Sequence, residues 1–340
     1  MKVKSSEYLT NTRPLLKKLL NRLLESFSYA SILAVDSEAY QYRVSKTVTF
    51  MGEDDLLCNR GFVIKVYDGN AYGEYSFNDI SEEKIEDIVS MVKSVVALKE
   101  SVNGMTLSQY KQLEDEPCTF CESTDYEIAP EDMGDEAILA KLTEIKDDAL
   151  LYDKKILNAT VGLSTQKYSK LFLSPNRDME QNVMWACGML MVDAKKDAVV
   201  KYSFKGFSNL GGIEIMRDIR GGIGHVGKNT LELLEASPIE PGEYDCICTP
   251  EVTGMIAHEA FGHGVEMDMF VKDRALAKSY VGKDVAAPVL TMHDGANMAC
   301  EHEVASYFFD DEGVLSKDTV VIKDGVLQTG ISDAQSAMSL

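Results

Sequence analysis

The 340-residue chain is short of basic residues and of tryptophan, and it has no long run of uncharged apolar residues. Its 34 lysines and arginines face 55 aspartates and glutamates, a formal charge of -21. Binding to a phosphate backbone would meet like-charge repulsion with no basic patch to release counterions, which argues against direct nucleic-acid binding. The longest leucine-rich stretch, PLLKKLLNRLLESF, is broken by Lys17, Lys18 and Arg22. It is too short and too charged to span a bilayer and reads as an amphipathic surface helix, so no membrane partner is expected. The first residues lack the apolar core and small-residue cleavage site of a secretory signal. Seven cysteines, an odd number scattered through the chain, suit a reducing compartment better than a disulfide framework. A cytoplasmic location is the expectation. The single tryptophan, Trp185, and the sixteen methionines read as core filling.

What is present is ordinary for a globular protein, 45% hydrophobic and 26% charged residues, long enough for two or three domains. Leucines at 15, 16, 19, 20, 23 and 24 form one stripe and predict a helix over 12–27. Strand-like runs follow: YASILAV, AYQYRVSKTVTFMG, GFVIKVYDG and AYGEYSF, the last two joined through a hairpin turn at Asp68-Gly69-Asn70. A second helix is expected over 81–99, with acidic residues at its start. Periodicity then gives way to a polar, acidic connector over 100–134, a candidate sub-boundary. A third helix over about 136–152 leads to strands ILNATVGLS, YSKLFLS, QNVMWACGMLMV and DAVVKYSFKGF, then to a glycine-interrupted helical region over 213–236. Helix, strands, helix thus occurs twice, which suggests a structural duplication without sequence identity. Pro238 and Pro241-Gly242 punctuate the chain, and PVLTMHDG, DTVVIKDG and VLQTGIS read as short strands beyond. The expected class is α+β: an N-terminal region of sheets with packed helices over 1–237, then the first part of a β-rich metal-binding domain over 238–340.

The chemistry concentrates in GMIAHEAFGHGVEMD, residues 254–268. Two histidines and a glutamate stand in the order H-E-x-x-x-H, one residue longer than the helical H-E-x-x-H of zinc peptidases. On a regular helix, residues five apart differ by roughly 140° about the axis. His258 and His263 can therefore share a metal only if the turn widens or the helix ends between them. Gly262 and Gly264 flank the second histidine and would permit such a departure, including a one-residue bulge. Glu259 follows the first histidine, where a carboxylate reaches the water on a metal rather than the metal itself. The blander reading is that the histidines are hydrogen-bonded core residues beside an apolar run. Glu266 and Asp268 read as partners that hold the histidine tautomers, or as helix-surface charges.

HEAFGHGVEMD resembles the motif of the TldD/PmbA family of zinc-dependent peptidases, here preceded by PGEYDCICTPEVTGMIA. RGFVIKVYDGNAYGEYSF is similar to that family's N-terminal sheet, and DDEG with VVIKDGVLQTGISD to the stretch after its motif. The resemblance covers most of the chain and implies a zinc peptidase acting on unfolded or flexible peptides, with its site in an enclosed cavity. It further implies a dimer, either a homodimer or a heterodimer with a paralogous subunit. His258 and His263 match the family's zinc ligands and Glu259 its catalytic glutamate, which fits a TldD-type subunit. The family's third ligand is a cysteine near the C-terminus, so here it is expected beyond Leu340 and the zinc site is expected to be incomplete in this truncated form. Cys300 and His302 are chemically suitable substitutes. The alternative is a catalytically silent peptide-binding or scaffold subunit of a paired peptidase.

Two further motifs read as structural. GIGHVGKNT, residues 222–230, nearly spells a phosphate-binding loop, but Asn229 occupies the hydroxyl position and the preceding segment is charged. Cys118-Thr-Phe-Cys121 lacks the second pair a zinc knuckle needs and is read as free thiols in a loop, while Cys246 and Cys248 alternate as on a buried strand.

Overall fold

A computed structural model of the chain describes residues 1–101, 111–296 and 304–339. The first helix, α1 (Glu7–Leu24), starts where the Ser6 hydroxyl accepts the Leu9 N–H at 3.1 Å. Its leucines 9, 16, 19, 20 and 23 are buried, at about 1.5–3 kcal/mol for each fully covered side chain. Strand β1 (Tyr29–Val44) then runs unbroken from the first apolar run into the start of the second, whose remainder turns back as the next strand. Strands β2 (Thr49–Glu53), β3 (Arg60–Tyr67) and β4 (Tyr72–Phe77) precede helix α2 (Ile85–Ser101). The turn between β3 and β4 is closed by Asp68, whose carboxylate accepts from the N–H groups of Asn70 and Ala71, with Gly69 at φ 106°.

The predicted connector is not all loop. Its CTFCES segment is a strand, β5 (Cys118–Ser123), hydrogen-bonded in parallel to β7, so Cys118 and Cys121 lie on a sheet edge. Short helix α3 (Pro130–Met133) and helix α4 (Asp135–Leu150) lead into the three longest strands of the second half: β6 (Ile156–Leu173), β7 (Arg177–Lys196) and β8 (Val199–Leu210). Helices α5 (Met216–Gly221) and α6 (Ile223–Glu235) close the region. The near-phosphate-loop sequence lies inside α6, where His225 contacts the Asn229 amide at 3.0 Å, so no cradle of backbone N–H groups exists there.

All eight strands form one sheet in the order β4-β3-β1-β6-β7-β5, with β2 and β8 added along β1 and β7. The long strands are shared end to end: β1 pairs with β3 over its first half and with β2 over its second, and β7 with β5 and then β8. Unbroken β1–β6 pairing puts Ile32, Ala34, Tyr42 and Val44 on one face with Leu173, Leu171, Leu163 and Val161. One end of that face carries α1 and α2 over Ile32 and Ile64; the other carries α4, α5 and α6 over Val161 and Leu190. Gly188 on β7 lets α5 come close, since a Cβ there would lie 2.3 Å from Ile219. Between the two helical layers the same face is polar: Asp36, Glu38, Lys167 and Ser169 line a cavity of about 570 Å3.

Residues 236–249 form neither helix nor strand, and Cys246 and Cys248 are exposed thiols rather than buried strand residues. Helix α7 (Pro250–Ala260), helix α8 (Met267–Val271), strands β9 (Met292–Gly295), β10 (Asp318–Lys323) and β11 (Val326–Leu327), and helix α9 (Ala334–Ser339) follow. The three strands fall within the three predicted runs and make a small antiparallel sheet over a core of Val265, Phe270, Val321, Ile322 and Leu327. This C-terminal part is joined to the large sheet. Phe309 packs on Phe172 and Met179, Gln181 donates to the Phe309 carbonyl at 2.8 Å, and Lys65 pairs with Glu312 at 2.8 Å. The class is α+β, and no helix of the described residues is long and apolar enough to cross a membrane.

Candidate metal centre

Helix α7 begins at Pro250, whose missing N–H costs nothing at a first helical position. Beside it, the Glu251 carboxyl is held below its usual range by its own backbone N–H and the Thr249 hydroxyl. The helix carries His258 and Glu259 in its last turn and stops at Ala260. Phe261, at φ -135° and ψ -41°, leaves helical geometry, and residues Gly262–Val265 form a single 3-10 turn that holds His263. The five-residue spacing is thus resolved by ending the helix, not by a bulge within it. Neither Gly262 nor Gly264 takes a positive φ, so the left-handed freedom expected of them is not used.

The result is convergence. The rings of His258 and His263 have centroids 4.6 Å apart at 75°, and one ligand atom from each of His258, Glu259 and His263 lies within 4.8 Å of the others. Zinc at about 2.0–2.1 Å from each nitrogen in a tetrahedron needs ligand atoms about 3.3 Å apart, inside the 4.8 Å that bounds this cluster. Two imidazoles are donors that zinc accepts, and Glu259 stands beside them as a carboxylate that can serve as a base.

The two halves of the cluster are held differently. Phe261 and Val265 pack on the C-terminal core on either side of His263, and the Val265 carbonyl accepts from Ile331 N–H at 2.8 Å. His263 itself faces solvent, with Nδ1 2.9 Å from Glu266 Oε1, which leaves Nε2 free for a metal. Asp268 takes no part: it accepts from Lys272 at 2.7 Å, which holds its carboxyl low, and is a helix-surface charge. By contrast, no residue of α7 is buried, and Val252, Met255 and Ile256 are exposed. The histidines are therefore not core residues. Cys300 and His302 lie outside the described residues.

Residues 241–340 match the family model described as PmbA/TldA metallopeptidase C-terminal domain. The chain is 26% identical over 328 residues to a metalloprotease of Methanocaldococcus jannaschii, covering 94% of this chain and 69% of that protein. It is 30% identical over 146 residues to a zinc metalloprotease TldD homolog of Saccharolobus solfataricus, 43% of this chain and 32% of the relative. Matches to two other metalloproteases also take in less than half of those proteins. In fold, the chain is similar to TldE from Thermococcus kodakarensis, with a TM-score of 0.67 at 16% identity over 95% of this chain and 71% of that one. Over residues 241–340 the chain is thus similar to the TldD/PmbA family, and the relatives it matches are named metalloproteases.

Proposed function

We propose that the protein is a zinc-dependent metallopeptidase that hydrolyses peptide bonds of unfolded or flexible peptides, with His258 and His263 as zinc ligands and Glu259 as general base. The observation that carries this reading is the approach of three donor atoms to within 4.8 Å where α7 gives way to the 3-10 turn. Bound zinc would polarise the peptide carbonyl and acidify a water. Glu259 takes the proton from the attacking water and delivers it to the departing amine nitrogen. Glu266 fixes the His263 ring through Nδ1 so that its other nitrogen stays a donor to the metal. A complete catalytic set needs a third protein ligand, and the family resemblance implies a cysteine for it.

Partner chains fit the same reading. Tyr202 and Phe204 on β8 are 60% and 63% exposed, and Met255 on α7 is 67% exposed, which supports a homodimer or a heterodimer with a paralogous subunit that covers them. The test is metal content set beside cleavage of an unfolded peptide. In the intact enzyme, with its third ligand, Glu259→Gln should keep zinc and lose cleavage, while His258→Ala should lose both. Unchanged cleavage in Glu259→Gln would refute the assignment, and absence of metal-dependent cleavage in the wild type would favour the scaffold alternative.

A further inference from the structure

A groove of about 840 Å3 opens beside the metal cluster, with His263 in its wall. Phe261, Leu276, Tyr280 and Val285 make its apolar lining, and its size suits one large side chain with the backbone on either side of it. Two charged groups besides the histidine line it, Arg274 and Asp284. Neither has an ion-pair partner among the described residues. Among the arginines, Arg274 shares this only with Arg43, which is exposed on β1 and is not in the groove wall. Arg13, Arg22, Arg60, Arg177, Arg217 and Arg220 each pair with a carboxylate, as a chain with 55 acidic residues readily allows. The backbone at Arg274 is fixed: Asp273 holds φ 55°, and the Arg274 N–H donates to the Met269 carbonyl at 2.9 Å. An unpaired guanidinium at an apolar wall is a planar fork suited to a carboxylate in two parallel hydrogen bonds.

We infer that this groove is a specificity subsite for a peptide carrying an apolar side chain with a carboxylate next to it, and that Arg274 is the residue that receives the carboxylate. The inference rests on the peptidase reading for its choice of a peptide as ligand. The carboxylate has two chemical sources, the peptide's own C-terminus or an Asp or Glu side chain, and both present the same group to Arg274.

The test is made without metal, on the full chain in chelator, by fluorescence anisotropy of labelled peptides. Four are compared: one ending in Phe as the free acid, its amide, an amide ending in Phe-Asp, and a free acid ending in Ser. Expected is at least tenfold tighter binding of the Phe acid than of the Ser acid, and tighter binding of either the Phe acid or the Phe-Asp amide than of the Phe amide. Which of the two gains identifies the source. Arg274→Gln should erase the carboxylate preference and keep the Phe preference, Arg274→Lys should restore part of it, and Leu276→Asp should erase the Phe preference. Equal affinity for all four peptides, or an Arg274→Gln variant that discriminates as the wild type does, overturns the inference. Because no cleavage is read, failure of Glu259 as a base leaves this outcome unaffected, and the converse holds too.

Discussion

Helix α1 and helix α7 are built on opposite terms. Five leucines of α1 are buried and Ser6 caps it, whereas α7, which bears half of the candidate metal centre, buries nothing. Isolated helices of that length are marginal in water, and most helical stability in proteins comes from a packed face. Burial therefore fixes the architecture, while His258 and Glu259 of the candidate centre sit on a segment that the core hardly touches. His263, stapled between Phe261 and Val265, is the half of the centre that the fold positions directly.

Substitutions on the two sides of this contrast should behave oppositely. Glu259→Gln should lower cleavage by about 10²–10⁴-fold, the range for loss of a general base, with no change in the unfolding midpoint; a shift in that midpoint would mean α7 matters to the fold. In α1, Leu19→Ala should cost about 2–5 kcal/mol in denaturant unfolding while zinc content per folded molecule stays the same. Arg13→Ala removes the bond to Glu180 at 2.8 Å and the pair with Asp178, leaving a carboxylate on β7 with 7% exposure. A loss of about 2–3 kcal/mol is expected in the same measurement.

Acid should act on the same link. Burial opposes ionisation of Asp178, but hydrogen bonds from Arg13 and Lys17 outweigh it and hold the carboxyl below its ordinary range. A carboxyl lowered on folding contributes stability that is fully present above its unfolded value, about 3.9, and is lost as pH falls through the lower folded value. Stability measured below about pH 4 should therefore decline less steeply in Asp178→Asn than in the wild type, and parallel slopes would discount the link. Smallest of all, Ile256→Ser on the exposed side of α7 should shift stability by within about 0.5 kcal/mol.

Hydrophobic periodicity made most of the fold legible. The leucine stripe located α1, and the acidic start and apolar face located α2, because both helices bury one side. Strand β1 read as two runs because Asp36, Ser37 and Glu38 interrupt its apolar pattern; those residues cross the middle of the sheet, where neither helical layer covers it and a polar cavity lies instead. Strand β5 was unreadable for a related reason. It is held as a parallel edge by β7, a partner about 60 residues away, and its side chains are mostly half-exposed or exposed, so no alternation marks it. At the candidate site the motif named His258, Glu259 and His263, but spacing alone left their convergence open, and the turn at Phe261 resolves it. Arg274 carried no signal, since its place in the groove wall without a salt-bridge partner shows only in the folded chain.

The unburied state of α7 makes ion capture and local ordering one event. Any affinity measured for a cation at His258 and His263 includes the entropy of holding eleven residues helical, and is reduced by the fraction of time they are not. Residues of α7 far from the imidazoles thus become levers on loading: an alanine at Gly254, which has open space around it, should tighten cation binding without touching a ligand.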